Sequence, residues 1–277
     1  MKFVERKPMS NQTTNIQYPL NNDLMFGLVM QNQVLCKDLL ERILPGRKIQ
    51  ELKVCDASNT NLQKTIITGI ISKCVRLDVL FTDDPDWYNL EMQNVSDPYL
   101  PMRGRYYGAA MDIDQINKGS HYYQLKNNYV IFICTFDYYN RGQAIYHFQN
   151  YDCKNNLPYG DNSRKIIVNT RSPKENTPPE LVPFFDYVNN MKVPEDDTFI
   201  KALHKQVEKY NTSDWRRRLM TLEEKMRIEK DMAFAEGEAK GEEKAKLEDA
   251  KKMKAEGIDI EIICRITGFS AEKIGKL

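Results

Sequence analysis

The stretch RLDVLFTDDPDWYNLEMQ, residues 76–93, decides the fold. Arg76-Leu77-Asp78-Val79-Leu80-Phe81 and Trp87-Tyr88-Asn89-Leu90-Glu91-Met92-Gln93 are both rich in side chains that suit a pleated surface. Between them, Asp83-Asp84-Pro85-Asp86 supplies turn chemistry, so the two runs read as antiparallel neighbours in one hairpin. Side chains two apart on a strand share a face, which sets Glu91 and Gln93 to one side and Met92 to the other. The separation of Asp78 from Glu91, 13 positions, suits a hairpin built on that turn and would bring both carboxylates to one face. A carboxylate among apolar neighbours is costly unless a cation accompanies it. Two readings satisfy that demand. In one, Asp78 pairs with Arg76 or a lysine and Glu91 is an edge-strand charge; in the other, the two acids share a hard divalent cation. Oxygen ligands of this kind favour Mg²⁺ or Mn²⁺ over zinc, and such an ion polarises a phosphate and acidifies water.

Working outward, residues 22–44 read as one helix, with Leu24, Leu28, Leu35, Leu39 and Ile43 at four- and seven-residue spacings. Asn22 or Asp23 is its N-cap and Pro45-Gly46 its stop. Residues 49–54 and 64–71 read as short strands that precede the hairpin, giving a meander. Residues 101–118 read as a helix. Residues 129–136 are the most apolar segment and suit a central strand covered on both faces. Residues 144–151 read as an edge partner and 165–169 as a further strand. The expected fold is α/β, a mixed central sheet flanked by helices, with a helical C-terminal extension. The expected organisation is an arm at 1–18, the α/β domain at 19–172, a linker and helical subregion at 173–220, a charged helix or spacer at 221–249, and a small helix-turn-helix-like tail at 250–277, which either touches DNA or is a plain helical cap.

Hydrophobic residues make up 41% of the 277 and charged residues 29%, a balance that supports a folded core and excludes global disorder. The formal net charge is only +1, so a nucleic-acid partner would have to meet a local concentration of basic side chains. The densest is Trp215-Arg216-Arg217-Arg218. Cys36, Cys55, Cys74, Cys134, Cys153 and Cys264 show no metal-type spacing with the histidines and read as reduced, buried thiols. No run is long and apolar enough for a membrane span, and polar residues 11–15 stand where a signal peptide needs an apolar core, so a cytoplasmic location is expected. In the tail, 250–256, 260–266 and 271–277 spell three short helices, with Ile258, Ile262, Ile263, Ile266, Phe269 and Ile274 as their core. Ser270 and Lys273 make an imperfect capping box.

Residues 23–167 resemble the recombination-promoting nuclease (Rpn) and putative transposase family, a branch of the PD-(D/E)XK superfamily. The matching features are Asp23-Leu24-Met25-Phe26, Leu77-Asp78-Val79, Leu90-Glu91-Met92-Gln93, Arg105-Tyr106-Tyr107, Gln115-Ile116-Asn117-Lys118-Gly119, Tyr122 or Tyr123 with Leu125, and the apolar strand at 129–136. The resemblance implies a restriction-endonuclease-like sheet, Mg²⁺ or Mn²⁺, DNA as partner and endonucleolytic cleavage linked to recombination or mobile elements. By position it makes Asp78 and Glu91 the metal ligands, the Met92 carbonyl a third, and Asp23 a further ligand or an N-cap. Gln93 stands where the wider superfamily has lysine; it orients by hydrogen bonding and cannot act as a base. That replacement leaves open an alternative, a weak or inactive nuclease scaffold that regulates through DNA or a partner. Arg105, Gln115, Arg216, Arg217 and Arg218 are candidate DNA contacts, each with an ordinary surface role as the competing reading. Tyr106, Tyr107, Tyr122 and Tyr123 either stack on bases or pack at the rim. The tail suits self-association into a homo-oligomer.

Overall fold

The computed structural model describes residues 16–54, 64–66, 75–77, 79–116 and 119–277. The chain divides into two compact units, Met1–Arg216 and Arg217–Leu277. In chain order, the first holds α1 (Asp23–Met30), α2 (Gln33–Ile43), β1 (Lys53–Val54), β2 (Lys64–Ile66), β3 (Val75–Leu77), β4 (Val79–Asp83) and β5 (Asp86–Gln93). It continues with α3 (Leu100–Gln115), β6 (Asn127–Cys134), β7 (Ile145–Phe148), β8 (Tyr151–Asp152), β9 (Leu157–Pro158), β10 (Ser163–Asn169), α4 (Val182–Asn190) and α5 (Thr198–Tyr210). The split between units falls inside α6 (Ser213–Ala255), and α7 (Ile260–Thr267) and α8 (Ala271–Gly275) follow.

The main sheet has six strands in the order β1-β4-β5-β6-β10-β7. β4 runs antiparallel to both β1 and β5, while β2 and β3 pair with each other in a separate two-stranded sheet, so the expected meander through residues 49–93 is interrupted. β5 to β6 and β6 to β10 are parallel, and β7 closes the edge antiparallel to β10. A parallel step from β5 to β6 needs a crossover, and α3 provides it. The sheet is therefore mixed and flanked by helices, as expected. β6 is central, with Tyr129 to Cys134 all buried.

One face of the sheet packs beneath α3. Its cluster joins Leu80, Val130, Phe132, Cys134 and Ile167 from the strands with Leu100, Ala110 and Met111 from the helix. Burying a side chain of leucine or phenylalanine size contributes about 1.5–3 kcal/mol, so this layer holds α3 down. The helix comes close because Gly104 faces the sheet: a Cβ there would lie 3.2 Å from Phe132 Cε2 and 3.4 Å from Lys165 Cγ. A polar chain adds to the attachment. Lys165 Nζ donates to Ser163 Oγ at 2.6 Å, Ser163 Oγ to Asn128 Oδ1 at 2.8 Å, and Asn128 Nδ2 to Asp112 Oδ1 at 2.8 Å.

Several expectations need correction. Residues 22–44 form two helices: Asn32 accepts from the amides of Val34 and Leu35 and caps a new start, while Asn22, not Asp23, caps the first. Cys36 and Cys134 are buried thiols, but Cys153 is exposed and Cys264 half-buried; Cys55 and Cys74 lie outside the described residues. In the second unit, Ala250, Ile263 and Ile274 make the small core with Phe269 packed on it, whereas Ile258, Ile262 and Ile266 are exposed. Ser270 does cap α8, accepting from the Lys273 amide at 3.3 Å. Residues 221–249 are helical throughout, within α6.

Candidate active site

The chemistry-bearing residues gather at the C-terminal end of β5 and the first turns of α3. Strand alternation and register place them. Leu80, two positions after Asp78, pairs with Asn89, two positions before Glu91, and Glu91 in turn pairs with Phe132 of β6. Asn89, Glu91 and Gln93 thus share the face that carries Phe132 and α3. Asp78 itself lies outside the described residues.

Glu91 is 3% exposed. Its Oε1 accepts from Asn89 Nδ2 at 3.1 Å, and its Oε2 lies 3.9 Å from Arg103 Nη2. Arg103 is the residue that sequence reasoning passed over. From the first turns of α3 it reaches into the site: Nη1 donates to Gln93 Oε1 at 2.9 Å and sits 3.5 Å from Asp97 Oδ2, and Nη2 donates to Tyr107 Oη at 3.3 Å. Its guanidinium also lies over the rings of Tyr107 and Phe132. Burial works against its charge, but Tyr107, Glu91 and Asp97 outweigh it and hold its pKa above the ordinary value. Gln93 is engaged at both ends of its amide, since Nε2 donates to the Met92 carbonyl at 2.8 Å. The neighbouring Cys134 thiol is pushed up to about 12 by burial, with Arg103 opposing, so it stays protonated and is no nucleophile.

The signal that distinguishes Arg103 from Arg105 was present. Leu100, Gly104, Gly108 and Met111 mark the buried arc of α3, and Arg103 lies at its edge with Tyr107 one turn on. Arg105, a step of roughly 100° to the other side of Gly104, is exposed. Gln115 sits at the far end of α3, roughly 18 Å along the axis at 1.5 Å per residue; its Oε1 accepts from the Lys126 amide at 2.7 Å. Arg216, Arg217 and Arg218 lie on α6, with the boundary between units after Arg216. Asp23 is exposed in the first turn of α1. Asn94 donates to the Asn21 carbonyl, so the start of α1 adjoins the end of β5. Of the tyrosines, Tyr107 packs in the site, whereas Tyr122 and Tyr123 are more than 80% exposed.

A divalent ion suits the residues present. The residues that would hold one offer hard oxygens, the Glu91 carboxylate and the Met92 carbonyl. Beside them Asn89 Oδ1 is fully buried without a hydrogen-bond partner, a state that native structures seldom leave unexplained. The contact of Glu91 with Arg103, at 3.9 Å, is long for a charge-assisted hydrogen bond. Among the described residues no three His, Cys, Asp or Glu side chains converge as a ligand group. Nor is any helix among them long and apolar enough to cross a membrane.

Neither the curated proteins nor the solved structures gave a match. A family model does: the one described as PD-(D/E)XK nuclease family transposase matches residues 23–178, more than half of the chain and the whole of the sheet with its crossover helix. The chain therefore belongs to the PD-(D/E)XK nuclease family transposases, and its sheet is their restriction-endonuclease-like α/β core.

Proposed function

We propose that this chain is a divalent-metal-dependent DNA endonuclease, with Asp78 and Glu91 as the carboxylate ligands, the Met92 carbonyl as a third donor and Asp23 adjoining them. One observation carries the reading: a carboxylate 3% exposed, on the sheet face beneath α3, with an amide, a guanidinium and an orphaned amide oxygen around it. Family membership supports a nuclease-like function and DNA as substrate. Mg²⁺ or Mn²⁺ is the ion that all-oxygen donors favour, and when bound it supplies Lewis acidity toward the phosphate and acidifies water.

The chain's own groups divide the remaining work. Asn89 fixes the rotation of the Glu91 carboxylate through Oε1. Gln93 has no titratable group, so its amide can orient water or a phosphate oxygen but cannot take a proton. In hydrolysis water adds to phosphorus, the P–O bond to the leaving oxygen breaks, and the protons are exchanged with solvent. Phe132, Tyr107 and Leu100 exclude bulk water from the floor of the site, which strengthens each charge interaction there.

A second reading has its own observation. Both ends of the Gln93 amide are already committed, to Met92 and Arg103, which suits a scaffold that binds DNA without cutting it. Nicking of supercoiled plasmid with and without Mg²⁺ separates the two, alongside calorimetric titration with Mn²⁺. The nuclease reading expects Mg²⁺-dependent nicking that Asp78→Ala or Glu91→Gln abolishes while both variants keep a cooperative melt. Undiminished nicking by both variants would remove the site assignment, and DNA affinity with no metal binding would favour the scaffold.

A further inference from the structure

The feature left over from that division of labour is Arg103. It is the one cation within reach of both Glu91 and Gln93 among the described contacts, and its side chain is 31% exposed, so solvent and a ligand can reach it. Its contacts are of two kinds. The bond to Gln93 Oε1 is well formed at 2.9 Å, whereas the approach to Glu91 at 3.9 Å and to Asp97 at 3.5 Å is loose. A guanidinium has five donors in a planar fork suited to two phosphate oxygens at once, and the carbon of this one lies 5.5 Å from the ring centroid of Tyr107 and 5.7 Å from that of Phe132. Glu91 is buried, where a carboxylate is costly without compensation, and Arg103 is a cation 3.9 Å from it among the described contacts.

The geometry points to a double role, one that rests on the nuclease reading: Arg103 is a resident counter-ion of Glu91 in the metal-free protein and the phosphate-gripping cation once a divalent ion has taken over the carboxylate. The two roles exclude each other at any instant. Metal and DNA therefore bind with positive coupling through Arg103, because occupation of Glu91 by an ion frees the guanidinium for the phosphate. By linkage the effect is reciprocal, with DNA raising the affinity for metal.

The test uses the full chain and two readouts that a merely bracing residue would not move in opposite directions. Mn²⁺ affinity of the free protein is measured by calorimetry, and affinity for a short duplex by fluorescence anisotropy across a salt series, with and without Ca²⁺. For Arg103→Met, Mn²⁺ should bind more tightly than to wild type because a competing charge is gone. Its duplex affinity should fall severalfold, the Ca²⁺-dependent gain should be lost, and the salt slope in Ca²⁺ should drop by about one phosphate contact. Should that variant fail to melt cooperatively, Arg103→Lys reads the same question. It keeps the charge, so Mn²⁺ affinity should match wild type, while loss of the two-pronged grip lowers duplex affinity in Ca²⁺. Weaker Mn²⁺ binding by Arg103→Met, or an unchanged salt slope, overturns the inference; so does wild-type duplex affinity in Arg103→Lys. Wild-type protein that binds no Mn²⁺ overturns the nuclease reading along with it. If wild type binds Mn²⁺, Glu91→Gln does not, and both Arg103 variants behave as wild type, this inference falls alone.

Discussion

Asn89 shows how much a single buried amide can govern. Its Nδ2 holds Glu91 Oε1, and its Oδ1 is enclosed and unpaired. Replacing it with an apolar residue of similar size removes the orphaned oxygen but also releases the carboxylate that the site needs in one orientation. Groups that orient a metal ligand typically govern affinity by about 10–100-fold, so Asn89→Leu should weaken Mn²⁺ binding by roughly that factor in calorimetry. An affinity equal to wild type would show that Asn89 does not orient the ligand. Asp112 offers a different kind of test, in pH. Burial is the largest influence and holds its pKa above 3.8, against the hydrogen bond from Asn128 and the charge of Lys165. The folded protein therefore keeps that proton to higher pH than the unfolded chain does. The stability it contributes is complete below 3.8 and is lost as pH rises through the folded value. Asp112→Asn, whose amide oxygen can still accept from Asn128, should be more stable than wild type at neutral pH. In urea unfolding, the gap should close as pH falls toward 3.8. A gap that widens on acidification would contradict the sign.

Glycine in a helix has opposite consequences in α3 and α6, and the difference lies in what each helix touches. At Gly104 a side chain meets Phe132 and Lys165 at 3.2 and 3.4 Å, so Gly104→Val overpacks the helix–sheet contact. Such overpacking costs about 1–3 kcal/mol, and the same outward shift of α3 should withdraw Arg103 and lower nicking. At Gly237 and Gly241 a Cβ would meet nothing within 4 Å, and both sit inside α6. Alanine there removes only a backbone-entropy cost, so each substitution should strengthen the helix by about 1 kcal/mol, read as a higher melting temperature by circular dichroism. The same comparison explains what could be read in advance. Alternation in 87–93 was enough to put Glu91 and Gln93 on one face, because a strand has only two. The break between α1 and α2 was hidden because Leu28 and Leu35 kept a seven-residue spacing across it; only Asn32, a good N-cap, marked the restart. Arg103 was less legible because a helix has many faces, and only Gly104 and Gly108 in the sequence marked the arc that is buried.

At the scale of the molecule, the nearly neutral net charge says little about DNA, and local placement says more. The groups that define the candidate site, Asn89, Glu91, Met92, Gln93, Asp97, Arg103 and Tyr107, all belong to the unit that ends at Arg216. That unit also closes on itself. Asn211 accepts from the amides of Gln17 and Tyr18 at 3.0 and 2.9 Å and donates back to the Tyr18 carbonyl at 2.9 Å, tying the end of α5 to the segment that leads into α1. A chain stopped after Arg216 keeps this clasp, the sheet and every site contact named here. It should therefore melt cooperatively, bind Mn²⁺ with wild-type affinity and nick plasmid in Mg²⁺, and any loss of duplex affinity would measure what α6 to α8 add. The alternative is sharply different. If the shortened chain folds, as judged by its melt, yet no longer binds Mn²⁺, then residues beyond 216 take part in building the site. The assignment of the chemistry to the first unit would then have to be given up.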